Sequence, residues 1–183
     1  MEWKYSAMGV RSLAVGVASL PCGKQALDAM KPETRTALTT PSSANWHDGS
    51  VVIDAAEAVH KLAGDAGVET MNYQAVKQSL GPIMAPFLKV TLALFGTSPE
   101  TIIKRMNESL GTVMKGVSTQ WLKSGPKSGR IIITHPDDVK EVSWPCWKGS
   151  LHFIFDMCGV KGEIKPHRES ASTRTLVFDC SWS

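Results

Sequence analysis

Between residues 98 and 182 the spacing of apolar side chains changes from helical to alternating, and that change commits the chain to helices packed on an antiparallel sheet. Ser98 suits an N-cap, Pro99 the first helical position, and Glu100 the positive end of the helix dipole. Ile102, Met106, Leu110, Val113, Val117 and Trp121 then recur at steps of three and four, while Lys104, Arg105, Glu108 and Lys115 fall mostly off that face. This predicts a long amphipathic helix over 98–122. Gly125–Pro126–Lys127–Ser128–Gly129 is a turn cluster, and Arg130–Ile131–Ile132–Ile133–Thr134 reads as a β-branched strand. A loop over 135–147 leads to a short helix over 148–158, with Leu151, Ile154, Phe155 and Cys158 on one side. Strands over 161–167 and 174–182 follow, joined as a hairpin through 168–173. The last strand sets Leu176, Phe178, Cys180 and Trp182 against Val177, Asp179 and Ser181.

Upstream, Val10, Leu13, Val15 and Val17 alternate roughly and predict a strand, closed by the turn at Pro21–Cys22–Gly23. Short helices are expected over 25–30 and 33–38, the second with Pro32 in its first turn. Residues 41–45 form a polar loop. From Ser50, the positions Val52, Ala55, Ala56, Val59, Leu62 and Ala63 follow helical spacing to a stop at Gly64. After a loop over 65–69, a second apolar rhythm runs from Val76 to Phe95. Gly81–Pro82 and Pro86 interrupt it, so a kinked helix or two end-to-end helices are expected.

The expected fold class is therefore α+β. The helical N-terminal two thirds includes the long amphipathic helix, which packs on a small antiparallel sheet from the C-terminal third. One domain is expected over 1–183, divided into an N-terminal strand or arm (1–22), a mainly helical part (23–124) and a strand–helix–hairpin (125–183).

Composition narrows the function. The 183 residues carry 20 Lys or Arg and 17 Asp or Glu, a formal charge of +3, and the cations are scattered, so no nucleic-acid partner is expected. No apolar run reaches the length of a membrane span. The stretch 13–20 is short, and Pro21 stands where a lipidated Cys22 would need a small residue, so a cytoplasmic location is expected. The four cysteines, Cys22, Cys146, Cys158 and Cys180, form no CxxC pair and read as reduced packing residues.

Catalytic motifs are missing: there is no GxSxG, HExxH, GxGxxG or GxxxxGK[ST]. A helix-to-strand turn accounts for Gly125–Gly129 better than a phosphate cradle does. His152 and Asp156, one helical turn apart, are expected to pair in water. Cys146, Cys158 and Cys180 read as buried thiols, with a zinc site built from them as the alternative. His47, His60 and His135 are expected at the surface. Cys22, near a helix start, is a candidate for a lowered pKa, but no His–Asn pattern completes a nucleophile. Trp144 and Trp147, flanking Pro145–Cys146, are the more informative residues. Together with Phe153 and Phe155 they would face the helix carrying Ile83, Met84, Phe87 and Phe95, as core or as the lining of an apolar pocket.

The order from Ser98 onward, with Pro145–Cys146–Trp147–Lys148–Gly149 and the ending Phe178–Asp179–Cys180–Ser181–Trp182, resembles the 4-vinyl-reductase-type domain. That domain is similar in fold to the haem nitric-oxide-binding domain and to small subunits of the TRAPP tethering complex. Ser98–Pro99–Glu100, Trp121, Trp147–Lys148–Gly149 and Ser181–Trp182, with Pro32–Arg35 and Trp46 upstream, also look similar to a bacterial (myxobacterial) paralogous family of unknown function. The resemblance implies sensing of small hydrophobic ligands, haem binding, or a dimeric scaffold in trafficking and signalling. The haem-binding branch carries a Tyr-x-Ser-x-Arg motif, and this chain has no tyrosine after Tyr73, leaving His60 or His47 as the axial candidates; no cofactor is expected. In the vinyl-reductase-type branch, cysteines near the last helix and strands bind metal, and Cys146 and Cys180 roughly match two of those places.

These readings combine into a non-enzymatic sensory module whose apolar pocket takes a small hydrophobic ligand. Phe87, Leu88, Met106, Trp121, Trp147 and Phe155 are its expected lining. A homodimer or a regulatory protein partner is expected beside it. The alternative is a dimeric interaction scaffold that binds no small molecule.

Overall fold

The structure, a computed structural model, describes the backbone of residues 2–40, 45–95 and 98–183, and side chains within those ranges except at 80–95 and 109. The elements run β1 (Lys4–Ser6), α1 (Ala7–Ala18), α2 (Gly23–Ala29), α3 (Pro32–Thr39), β2 (Trp46–Asp48), α4 (Ser50–Phe95), α5 (Pro99–Val113), β3 (Met114–Lys115), β4 (Ser118–Gly125), β5 (Ser128–Thr134), α6 (Ser143–Met157), β6 (Gly162–Pro166) and β7 (Thr175–Trp182). A short 3₁₀ turn, Arg168–Ser170, lies in the β6–β7 connection. The fold is α+β, as its sequence pattern implies.

The N-terminal segment is a helix, not the expected strand. Val10, Leu13 and Val17 stand at i, i+3 and i+7, and all three are buried. The Ser6 hydroxyl caps α1 by accepting the Gly9 amide at 3.1 Å. Gly9 and Gly16, which lower helix propensity, suit the packing here. A Cβ on Gly16 would stand 2.3 Å from the Met71 carbonyl oxygen, so the glycine lets α1 approach the backbone of α4. The extended piece in this region is β1, which joins a small antiparallel sheet in the order β2-β1-β3 rather than the C-terminal one.

Helix α4 runs through the expected loop over 65–69. Gly64, the expected stop, is instead a break inside it, with φ 62° and ψ −165°, a left-handed φ that a side chain resists. The proline break expected at Gly81–Pro82 and Pro86 falls where side chains lie outside the described residues.

The long helix ends earlier than its apolar spacing predicts. Helix α5 has its predicted start, with the Ser98 hydroxyl accepting from Thr101 N, but it stops at Val113. Gly116 turns the chain with φ 87°, and residues 118–125 form β4 instead. Val113, Val117 and Trp121 happen to keep a four-residue step, which hid the strand. The second sheet has the order β4-β5-β7-β6, all antiparallel. Helices α5 and α6 cover its inner face: Ile103, Leu151, Ile154 and Phe155 pack with Ile131, Ile133, Leu176 and Phe178. Val177, read onto the outer face, is also buried. A second apolar cluster joins α1, α2 and α3 to the first half of α4.

Candidate functional site

The loop predicted over 135–147 closes into helix four residues before Trp147, so Trp144, Cys146 and Trp147 all ride on α6. The face of α6 that carries Cys146, Ser150 and Ile154 turns toward α4, α5 and β1. Between these elements lies a cavity of about 100 Å³. Met106, Leu110 and Val113 line it from α5, and Val52, Asn72, Val76 and Ser79 from α4. Trp3, Tyr5 and Met114 close one side from the small sheet. There Tyr5 pairs with Met114 on β3 and with His47 on β2, so the three side chains share one face. His135, at the end of β5, and Trp147 complete the lining.

No Asp, Glu, Lys or Arg lines the cavity among the described residues. Its polar groups are buried and mostly engaged. Trp147 Nε1–H donates to His135 Nε2 at 3.0 Å, which fixes the proton of a neutral imidazole on Nδ1. His135 stands edge-on to both Trp3 and Trp147. Burial pulls its pKa down to about 4, so it is neutral at pH 7. Burial also pushes the Cys146 thiol up to about 12, against a hydrogen bond from Asn72 that favours the thiolate, and raises Tyr5 well above the ordinary phenol value. Asn72 Nδ2 donates to the Val68 carbonyl at 3.2 Å and Ser79 Oγ to the Ala75 carbonyl at 2.6 Å. Trp3 Nε1 is buried with no hydrogen-bond partner.

Of the six residues expected to line a pocket, the structure brings Met106 and Trp147 to this cavity. Phe87 and Leu88 have side chains outside the described residues. Trp121 and Phe155 stand elsewhere. Trp121 lies on β4 over Gly129, Phe155 covers Gly162, and both rings meet Trp182 at 6.0 Å between centroids.

His135 corrects the surface placement expected for it, since it is only 7% exposed. Its burial had no sequence signal beyond its position directly after a β-branched strand. His60 is exposed near Asp65, whereas His47 on β2 has a buried, unpartnered Nε2. His152 does not pair with Asp156 in water. It is partly buried, with Nδ1 4.0 Å from Glu69, while Asp156 hydrogen-bonds Tyr73. Sequence reasoning missed Trp3, Tyr5 and Asn72, which come together only through tertiary pairing.

The cysteines are all free, and Cys146, Cys158 and Cys180 are buried. Cys146 belongs to the helical core, whereas Cys180 belongs to the core under the sheet. Among the described residues, no three His, Cys, Asp or Glu side chains gather in a metal-holding group, and no helix is long and apolar enough to cross a membrane.

Solved structures share this architecture. The fold is that of an H-NOX domain. An Fe(II) unliganded H-NOX protein from K. algicida superposes with a TM-score of 0.65 and 9% identity, over 97% of this chain and 96% of that one. An oxygen-binding H-NOX domain related to soluble guanylate cyclases, in its oxygen complex, gives a TM-score of 0.62 and 11% identity over 94% and 92%. A structure solved to probe the function of heme distortion in the H-NOX family gives 0.64 and 11% over 97% and 95%. No family model and no curated protein matches the chain. At such identities the H-NOX likeness is one of fold, and the lining residues of this chain must be judged on their own chemistry.

Proposed function

We propose that this H-NOX-like chain is a non-enzymatic sensory module that holds a small, uncharged, mainly apolar ligand in the cavity between α4, α5, α6 and β1. The observation that carries this reading is the cavity's lining: apolar side chains from three helices, no charged residue among those described, and a neutral buried imidazole. An apolar cavity of ~150 Å³ is enough to take benzene, so about 100 Å³ suits a compact guest. The titratable groups argue for binding over catalysis. Burial lifts Cys146 and Cys180 to about 12 and Cys158 to about 11, so none offers a thiolate at neutral pH. His135, held near 4, is not poised as a base or acid at pH 7.

Names of the fold neighbours refer to Fe(II), haem and oxygen, which makes haem the guest to test first. The described lining residues do not fit it. A haem iron is held by an imidazole, a thiolate or a phenolate, with a Met thioether serving beside a His. Here His135 Nε2 already accepts from Trp147, Cys146 is a protonated thiol and Tyr5 a protonated phenol, so the Met106 and Met114 thioethers have no His to serve beside. The haem carboxylates need cations, and no described Lys or Arg lines the cavity. A porphyrin is also several times the size of benzene. We therefore place a haem-free ligand in this cavity. A homodimer or a regulatory protein partner in signalling is part of the same proposal.

Native mass spectrometry of the purified protein, compared with its denatured mass, tests the reading and counts subunits. A small organic adduct that is lost on denaturation, or a thermal shift with added benzene, supports it. An iron–porphyrin adduct overturns the haem-free reading. No adduct and no response to benzene overturns ligand binding and leaves the dimeric scaffold.

A further inference from the structure

The C-terminal sheet has two edges, and the chain treats them differently. Edge strand β6 is short, ends in Pro166 and carries the ion pair of Lys165 with Glu163 at 2.9 Å, all of which discourage another strand from adding to it. At the other edge, β4 is 8 residues long and has a bare stretch. Asn107 bonds both the amide and the carbonyl of Thr119, so those groups point away from β5. Trp121 and Lys123, two and four residues on, point theirs the same way. No described residue meets these backbone groups. The stretch ends at the register shift between Lys123 and Gly125. Its middle residue is Leu122, 43% exposed. Trp121 packs on the core opposite Ile131, so Leu122 stands on the outer face.

Water can satisfy bare backbone, so the edge alone names no partner; the symmetry of this stretch does. We propose that β4 pairs with β4 of a second copy of the chain, antiparallel about a twofold axis at Leu122. The inference rests on the homodimer part of the proposed function and gives that dimer its surface. Trp121 of each copy exchanges both backbone hydrogen bonds with Lys123 of the other, and the two Leu122 side chains meet between these pairs. The neighbouring registers are worse. Centring on Trp121 calls on Thr119, which Asn107 already occupies, and centring on Lys123 sets two ammonium groups opposite each other. Centred on Leu122, the lysines stand diagonally, and each brings its own Glu100 carboxylate at 2.8 Å, so charge is balanced across the seam. Two such pairs and one leucine contact bury less than the ~1,200 Å² of a stable complex, so the dimer is weak and concentration-dependent.

Sedimentation equilibrium over a concentration series is expected to show monomer–dimer exchange. Leu122→Lys, a change at an exposed position that keeps the fold, is expected to raise the dissociation constant about tenfold or more. Hydrogen exchange at the Trp121 and Lys123 amides should slow as protein concentration rises. In a Cys22→Ser background, Leu122→Cys should oxidise to a linked dimer, because facing residues of such a pair stand about 4.5 Å apart at Cα. Leu62→Cys, at the 47% exposed leucine of α4, should stay monomeric under the same oxidant. A dimer that Leu122→Lys leaves unchanged, or equal cross-linking at both positions, overturns this interface and leaves the homodimer reading standing. Protection of the two amides that does not vary with concentration places a segment of the same chain on the edge and overturns it too. A monomer at every concentration overturns both.

Discussion

Trp147 and His135 are joined by a buried hydrogen bond of 3.0 Å from the indole nitrogen to Nε2, linking the first turns of α6 to the end of β5 beside the cavity. Trp121 offers the contrast, since its Nε1 is buried with no partner. Both Trp147→Phe and Trp121→Phe lose aromatic volume, but only the first strands a buried acceptor. We expect Trp147→Phe to destabilise the fold by about 1–3 kcal/mol more than Trp121→Phe. Urea midpoints at a common m-value make the comparison.

His135 also sets a pH dependence. Its folded pKa, about 4, lies below the ordinary histidine value, so between roughly 6.5 and 4 the unfolded chain binds a proton that the folded chain refuses. Stability is therefore expected to fall as pH drops through that window, by a few kcal/mol in total at ~1.4 kcal/mol per pH unit. His152, also lowered by burial, acts in the same direction. Unfolding of wild type and His135→Gln at pH 7.5, 6 and 4.5 isolates the effect, and the variant's profile should be the flatter. Asp179, held low chiefly by its hydrogen bond from Arg130, and Glu100, held low chiefly by Lys104, contribute only where pH falls through the still lower carboxylate range.

Two glycines on helices should respond oppositely to alanine. A Cβ on Gly149 of α6 would stand 2.1 Å from the Glu69 carbonyl oxygen of α4, whereas a Cβ on Gly111 of α5 meets nothing within 4 Å. Gly111→Ala is expected to raise stability by up to about 1 kcal/mol through helix propensity. Gly149→Ala gains the same propensity but forces the helices apart, at about 1–3 kcal/mol. Thermal melts of the two variants should move in opposite directions.

Asn107 clamps the end of α5 to the start of β4. Its Oδ1 accepts from Thr119 N at 2.7 Å and Thr119 Oγ1 at 2.9 Å, and its Nδ2 donates to Thr119 O at 2.7 Å. Asn107→Ala is expected to cost about 1–2 kcal/mol. Hydrogen exchange should quicken at the Thr119 amide and leave the Ile133 amide unchanged.

Local signals carried much of the fold. Ser98–Pro99–Glu100 marked the start of α5, and Pro32 marked α3. The alternation of 174–182 marked β7, and Ile131–Ile133 marked β5. The errors lie where tertiary contact outweighs local preference. Gly16 belongs in a helix because Met71 presses against it, and Thr119 and Trp121 belong in a strand because Ile133 and Ile131 offer them a ladder. Met106 and Trp147 could be drawn toward a pocket because aromatic and apolar spacing exposes them to sequence reading. Trp3, Tyr5 and Asn72 could not, since nothing local links residue 5 with residue 72 or residue 114.

The small sheet has a consequence for how the cavity comes into being. Tyr5 on β1 is paired with Met114 on β3, and helices α1 to α5 lie between them in the chain. A contact of such sequence separation forms late, after the intervening loop entropy has been met by other structure. On a ribosome, the helices can gather while the wall at Trp3 and Tyr5 still waits for its partner to emerge. The cavity is thus a product of the closing steps of folding, and a nascent chain has nowhere to hold a guest until β3, and α6 after it, arrive.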